Sequence, residues 1–445
     1  MMPIEIAGLS LILMLALIWA GMHVAIVLGV VSFIGVWLIR DDAGIAADML
    51  AQASQDAISS HIFGVVPLFV LTGFLVAKAD IGKDAFAVAD QLLRRLRGGL
   101  GVATVAANAV FAAITGISIA SAAVFTRIAT PEMIRFGYNK RFSVGVVAGS
   151  SVLGMLLPPS LLMILYGFLA NVSVGDLFTA GIVPGLFLAL VYSVAIILMA
   201  TLNPKWVYQT QAGGLIRREG EDQPTMTLWV MAKKLFPSVL LIASVLGGLY
   251  AGFFTATEAG ATGAAMALII AIVRRRLTLK TFWAVLTETG HITVAVSFLI
   301  ICASIYTRML AMSGMPQFLT EWLTSQGMGA TGFLMVYILI AIALGTIIDA
   351  SSIILIMLPL MLPVAESLDI NLIWLGILTI VAVETGVITP PFGLSVYVIK
   401  SSLEDQSITL GDIFRGAMPF LLMMLFVLVV LVFVPELSLV LLKQP

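Results

Sequence analysis

Apolar runs long enough to bury a helix recur along almost the whole chain, at roughly 4–20, 24–39, 61–79, 98–134, 142–170, 178–202, 235–253, 254–273, 290–311, 330–363, 371–399 and 416–436. A helix needs about 20 apolar residues to cross a bilayer's hydrocarbon core, so these runs predict membrane-spanning helices. The stretch 4–39 has room for two short spans, parted near Gly21-Met22-His23. Stretches 98–134 and 330–363 each have room for two limbs. Between the runs, segment 80–97 carries Lys83, Asp84, Asp90, Gln91, Arg94 and Arg95 among apolar residues and predicts an amphipathic surface helix. A longer polar segment, 203–234, separates the chain into two halves, 1–202 and 235–445.

The charges between spans give an orientation, because cytoplasmic connections are enriched in Lys and Arg. Arg94, Arg95 and Arg97 form one cluster, and Arg135, Lys140 and Arg141 the next. Lys205, Arg217, Arg218, Lys233 and Lys234 mark segment 203–234, and Arg274, Arg275, Arg276 and Lys280 mark a fourth. With these inside, the connection bearing Asp41, Asp42 and Asp56 faces the periplasm, as do Glu321, Glu366 and Asp369. Threading the chain through these constraints puts the N-terminus outside; Lys443 then also lies outside, against the rule.

Composition turns this pattern into a class. Of 445 residues, 61% are hydrophobic and 11% charged, against about half and a quarter in soluble domains, so lipid must be the main solvent. A net charge of −1 excludes a polybasic nucleic-acid binder. The single cysteine, Cys302, excludes an intrachain disulfide or cysteine metal site, and His23, His61 and His291 have no metal-ligand spacing. The first residues lack the basic start of a cleaved signal peptide, so the first apolar run is read as part of the mature chain. No Walker-type phosphate loop, His-Glu metal motif or Gly-x-Ser-x-Gly elbow occurs. An ATP-driven pump and an intramembrane enzyme are thereby disfavoured, and no cofactor is called for.

Sliding the chain by 232 residues superposes its landmarks: Gly82 on Gly314, Pro131 on Pro363, Asn139 on Asn371, Gly154 on Gly386, and Pro158-Pro159 on Pro390-Pro391. Charges at equivalent positions are opposed. Asp41-Asp42 aligns with Arg274–Arg276, and Arg135–Arg141 with Glu366–Asp369. The expectation is an all-α polytopic protein of two inverted-topology repeats, each of five crossings plus one re-entrant hairpin. Secondary transporters are often built so, with the site near the midplane between repeats.

Each half carries two helix breaks at depth, where lipid-exposed irregular backbone costs several kcal/mol per unpaired group. The hairpins turn at Thr115-Gly116-Ile117-Ser118 and at Leu344-Gly345-Thr346-Ile347-Ile348-Asp349. The first centre is too apolar for a turn in the headgroups, which favours a re-entrant hairpin over paired full spans, and 330–363 is its counterpart from the other side. Asp349, a carboxylate at membrane depth, is a functional candidate that a sodium ion would neutralise. The broken spans are Gly154-Met155-Leu156-Leu157-Pro158-Pro159-Ser160 and Glu384-Thr385-Gly386-Val387-Ile388-Thr389-Pro390-Pro391-Phe392-Gly393. Paired prolines remove helix donors. The freed carbonyls suit Na⁺, and a half-helix N-terminus suits an anion. A plain proline kink is the alternative for either motif alone. Of the other polar groups, Glu258 is expected to orient a helix contact or backbone group, Glu384 to support the site, and Arg308 to snorkel to the interface. His23 and His61 are expected to be interfacial.

At these motifs the chain resembles the large membrane subunit of the tripartite ATP-independent periplasmic (TRAP) transporters, over nearly its full length. The likeness rests on Pro67–Gly73, Ala113–Ala120, Leu153-Gly154 with Pro158-Pro159-Ser160 and Tyr166-Gly167, Gly252–Thr255 with Thr257-Glu258-Ala259, Leu344-Gly345 with Asp349, Pro359 and Pro363, and Gly386 with Thr389–Gly393. It implies a sodium-driven elevator in the bacterial inner membrane that takes up a small organic anion, a C4-dicarboxylate or other carboxylate. It also implies two partners, a small four-span membrane subunit and a periplasmic substrate-binding protein. Carried over, Thr115, Gly154, Leu157 and Pro158 would line one sodium site, and Gly345, Asp349, Gly386, Thr389 and Pro390 the other. Gly116, Ser118, Pro159, Ser160, Pro391 and Ser395 would face substrate. Ala112 and Ser395 depart from the family pattern, where a small polar residue and an asparagine are expected. A self-contained sodium–dicarboxylate symporter of related architecture is the alternative.

Overall fold

The computed structural model describes residues 2–59, 64–211, 214–215 and 226–442. Among the described residues the regular structure is helical except for a two-stranded antiparallel ladder, Thr210–Gln211 with Gly214–Leu215. The first half contains α1 (Pro3–Trp19), α2 (Val24–Arg40), α3 (Ala43–Ser59), α4 (Val65–Lys78), α5 (Ile81–Leu93), α6 (Gly99–Thr115), α7 (Ser118–Arg135), α8 (Lys140–Ser151), α9 (Leu153–Leu156), α10 (Leu161–Ala170), α11 (Val174–Leu202) and the short α12 (Pro204–Val207). The second contains α13 (Leu228–Ile242), which runs through one π-turn into α14 (Gly248–Tyr250), then α15 (Ala256–Val273), α16 (Leu279–Ser313), α17 (Met315–Ser325), α18 (Ala330–Gly345), α19 (Ala350–Ser367), α20 (Leu372–Val387), α21 (Leu394–Ser402), α22 (Leu410–Phe433) and α23 (Glu436–Leu439).

Six helices among the described residues are long and apolar enough to cross a membrane, or up to eight if each of two bent pairs is one span. The bent pairs are α4 with α5, at 60°, and the α8–α9 stretch with α10, at 41°. Leu186, Leu190, Val194, Leu198 and Leu202 form an exposed stripe at four-residue spacing on α11. Such a stripe belongs against lipid or another membrane helix.

The halves repeat their element order. α7 and α19 begin 232 residues apart, as do α8 and α20 (Ser118 to Ala350, Lys140 to Leu372). The matched asparagines have one local job. Asn139 and Asn371 are N-caps: Asn139 Oδ1 accepts from the Arg141 N–H, and Asn371 Oδ1 from those of Ile373 and Trp374. A cap of this kind is worth about 1 kcal/mol.

Helices of one half pack on the other half's in reciprocal pairs. α2 lies on α16 and α15 on α4; α10 lies on α19 and α21 on α7; α8 lies on α22 and α11 on α20. Small residues allow the closest crossings. A Cβ on Gly145 of α8 would stand 2.1 Å from the Gly416 carbonyl of α22. At the end of the same crossing, Lys140 pairs with Asp405 and Arg141 with Asp412, each at 2.6 Å. The Lys140 hydrogen bond, followed by those from Ser407, holds the exposed Asp405 carboxyl below the usual carboxylate range.

Four readings are refined. Residues 43–59, expected as a connection, form α3, and Arg308 of α16 pairs with Asp56 on it. α16 starts at Leu279 behind an N-cap from Thr278, well before the apolar run at 290. The polar linker ends earlier than residue 234, because Lys233 and Lys234 lie within α13. Glu258 closes a capping box with Thr255 at the start of α15. His61, Arg217, Arg218 and Lys443 lie outside the described residues.

Candidate transport site

The first hairpin breaks where α6 ends. Gly116 is left-handed (φ +66°), and its N–H donates to the Ala112 carbonyl at 3.1 Å. Its own carbonyl accepts from the Leu161 N–H at 3.2 Å, which ties the tip to the first broken span. Only glycine fits: a Cβ at Gly116 would stand 2.3 Å from the Pro159 carbonyl oxygen, and one at Gly154 2.9 Å from Ser118 Cα. The chain from Leu153 to Ser160 is buried throughout. Leu157 is extended, and Ser160 caps α10 by accepting from the Met163 N–H at 3.3 Å while donating to the Met155 carbonyl at 2.5 Å. Gly116, Ser118, Gly154, Pro159 and Ser160 thus meet around one knot of irregular backbone. Thr115 is buried beside it and donates to the Phe111 carbonyl; Leu157 and Pro158 lie in the same loop.

The second hairpin breaks over Thr346–Asp349. Gly345 of α18 meets Gly386 of α20 so closely that a Cβ on Gly386 would stand 2.6 Å from Gly345 Cα. The Thr389 N–H donates to the Gly386 carbonyl at 2.9 Å, and its hydroxyl to the Thr385 carbonyl at 2.6 Å. Asp349 is the N-cap of α19. Its Oδ2 accepts from the Ser352 N–H at 3.0 Å and its Oδ1 from the Ser352 hydroxyl at 2.5 Å. Pro390 and Pro391 are exposed, unlike Pro158 and Pro159. Ser395 is fully buried, and its hydroxyl finds no hydrogen-bond partner among the described residues.

A cavity of about 740 Å³ lies between the hairpin tips and the flanking helices. Ile117 and Ala120 of the first hairpin, Met155 and Leu161 of the first broken span, and Ile348 and Asp349 of the second hairpin form one side. His23 before α2, Phe74 of α4, and Glu288 and Ile292 of α16 form the other. None of the six residues expected to face substrate lines this cavity: Gly116 and Ser118 flank the lining residue Ile117, Ser160 precedes Leu161 and Ser395 follows Leu394 in sequence, Pro159 is buried in the knot, and Pro391 is exposed elsewhere. His23 and Glu288 were not singled out as contacts by sequence. His23 lies near a span end, and Glu288 falls just outside the apolar run 290–311.

Among the described residues, no group of three or more His, Cys, Asp or Glu could hold a metal ion.

Residues 11–437 match the family model described as the tripartite ATP-independent periplasmic transporter, DctM component. The chain belongs to this family. The C4-dicarboxylate TRAP transporter large permease protein DctM of Pseudomonas aeruginosa is 34% identical over 84% of this chain and 85% of its own length. That of Rhodobacter capsulatus is 32% identical over 96% and 97%. The solved MtrF structure from Neisseria gonorrhoeae shares the fold, with a TM-score of 0.59 at 13% identity over 88% of this chain and 85% of that one. This DctM-family chain is therefore a TRAP large permease, a multi-pass protein of the inner membrane, and its relatives are permeases rather than enzymes. Family membership implies a small membrane subunit and a periplasmic binding protein as partners.

Proposed function

We propose that this permease takes up a small organic anion by Na⁺-coupled elevator transport, receiving it from a periplasmic binding protein and working with a small four-span membrane subunit. The observation that carries this reading is one cavity walled by both hairpin breaks, which Met155 and Leu161 of the first broken span and Leu394 after the second also line. Thr115, Gly154, Leu157 and Pro158 surround one Na⁺, and Gly345, Asp349, Gly386, Thr389 and Pro390 the other. The cations offset the charge of the anion, which rests between the breaks near Gly116, Ser118, Pro159, Ser160, Pro391 and Ser395. α6–α10 and α18–α21 move as the transport domain against α1–α4 and α13–α16. The recurring element order and reciprocal packing support two halves, 1–202 and 235–445, related by a pseudo-twofold axis in the membrane plane, and the Lys- and Arg-rich connections support a periplasmic N-terminus.

The test is uptake of labelled C4-dicarboxylates into proteoliposomes, with and without the two partners and an imposed Na⁺ gradient. Uptake that requires both partners and the gradient supports the reading. Uptake by this chain alone points to a self-contained symporter, and indifference to Na⁺ overturns the cation sites.

A further inference from the structure

Glu384 lies on α20, two residues before Gly386, and is 1% exposed. Among the described residues no Lys, Arg or His forms an ion pair with it, and its Oε2 has no hydrogen-bond partner. A carboxyl so buried is costly to place, and nothing in the packing of α20 itself repays it. Its one bond crosses the molecule: Oε1 accepts from the Ser118 hydroxyl at 3.1 Å, 266 residues away in sequence. Ser118 is the first helical residue after the first hairpin's break, and its Cα is the atom against which Gly154 rests.

These contacts form one unbroken path. Gly345 touches Gly386, α20 carries Glu384, Glu384 holds Ser118, and Ser118 backs Gly154. The path joins the two groups of residues assigned to separate cations. In the sites' first half the position equivalent to Glu384, 232 residues earlier, is Val152, so the bond is made in one direction only. We propose that Glu384 is a positioning residue. Through Ser118 it fixes the break of the first hairpin, so that occupancy of the second half's cation site is felt at the first. The coupling part of this inference rests on the Na⁺ reading above; the positioning part does not.

The experiment compares Glu384→Ala, Glu384→Gln, Ser118→Ala and the double variant Ser118→Ala/Glu384→Ala in the purified full-length chain and in the reconstituted three-component transporter. Backbone amide exchange over residues 116–121, measured without Na⁺ or substrate, should be about tenfold faster in Glu384→Ala and in Ser118→Ala, the effect of losing one buried hydrogen bond. Glu384→Gln, which keeps an acceptor oxygen at the same reach, should stay within about twofold. In uptake, both alanine variants should raise the half-saturating Na⁺ concentration about tenfold and flatten its steepness, and the double variant should be no worse than the worse single one. A purely structural role would lower the maximal rate instead. If Glu384→Ala fails to fold, Ser118→Ala carries the same expectation. Unchanged exchange in both alanine variants, or a glutamine variant as impaired as alanine, would overturn the proposal. If the wild type ignores Na⁺, the Na⁺ reading falls, and the exchange measurement still decides whether Glu384 positions the hairpin.

Discussion

The contact between Gly345 and Gly386 sets how closely α18 and α20 approach, and Gly386→Ala tests whether the second cation site depends on it. A Cβ there would stand 2.6 Å from Gly345 Cα and 2.6 Å from the Ile342 carbonyl oxygen, both backbone atoms. Carbon atoms rest at about 3.5–4.0 Å, so the helices must part by about 1 Å. Overpacking of this kind costs about 1–3 kcal/mol, while alanine returns up to about 1 kcal/mol of helix propensity. The net loss is about 1–2 kcal/mol. If most of it falls on the cation-bound state, half-saturating Na⁺ for uptake rises about tenfold, since 1.4 kcal/mol is a factor of ten. Gly290→Ala is the control: Gly290 lies inside α16 with nothing within 4 Å of an added Cβ, so that variant should melt no lower than wild type. A Gly386→Ala protein with wild-type melting and wild-type Na⁺ dependence would refute the argument that this approach shapes the site.

Asp349→Asn should keep the cap on α19 and the melting temperature while losing Na⁺-driven uptake, whereas Asp349→Ala should lose both, with about 1 kcal/mol of stability gone with the cap; equal uptake in the two variants and wild type would remove Asp349 from the cation site. Asp84 of α5 receives Lys234 of α13 at 2.9 Å and Arg274, which caps the end of α15, at 2.7 Å. Asp84→Ala leaves two partly buried cations without it and should cost about 1–2 kcal/mol in thermal denaturation. Gly416→Ala would place a Cβ 2.0 Å from the Arg141 carbonyl oxygen, so size-exclusion profiles should show little monodisperse protein.

Features written in local chemistry were legible in the sequence. Pro158-Pro159 and Pro390-Pro391 break helices wherever they stand, and the break positions followed. Asn139 and Asn371 marked the repeat because each starts the equivalent helix. The amphipathic segment 80–97 holds α5 as expected, but polar stretches without so clear an alternation hide their helices. α3 carries Asp48, Gln52, Ser54, Gln55 and Asp56, so it read as a connection although Ala46, Ala53 and Ala57 bury one face. The first turns of α16 were lost for the same reason. Cap chemistry is written locally too: Glu258, expected to orient a helix contact or a backbone group, accepts from the Thr255 N–H in a capping box, whereas the cap role of Asp349 in Asp349-Ala350-Ser351-Ser352 is masked by its standing as a carboxylate at depth. The link between Glu384 and Ser118 has no local signal, because 266 residues separate its ends.

The reciprocal packing of the halves bears on how the chain is made. When the ribosome has delivered α1–α11, the surfaces of α2, α4, α7, α8, α10 and α11 that will meet α16, α15, α21, α22, α19 and α20 are still bare. The Gly145 groove, which Gly416 fills, and the Ser118 hydroxyl, which meets Glu384, must wait in the membrane for helices not yet synthesised. The first half alone is thus an assembly intermediate whose inter-helix seams lipid or an insertion factor must cover. The two halves, supplied as separate polypeptides, carry complementary faces through which to find each other.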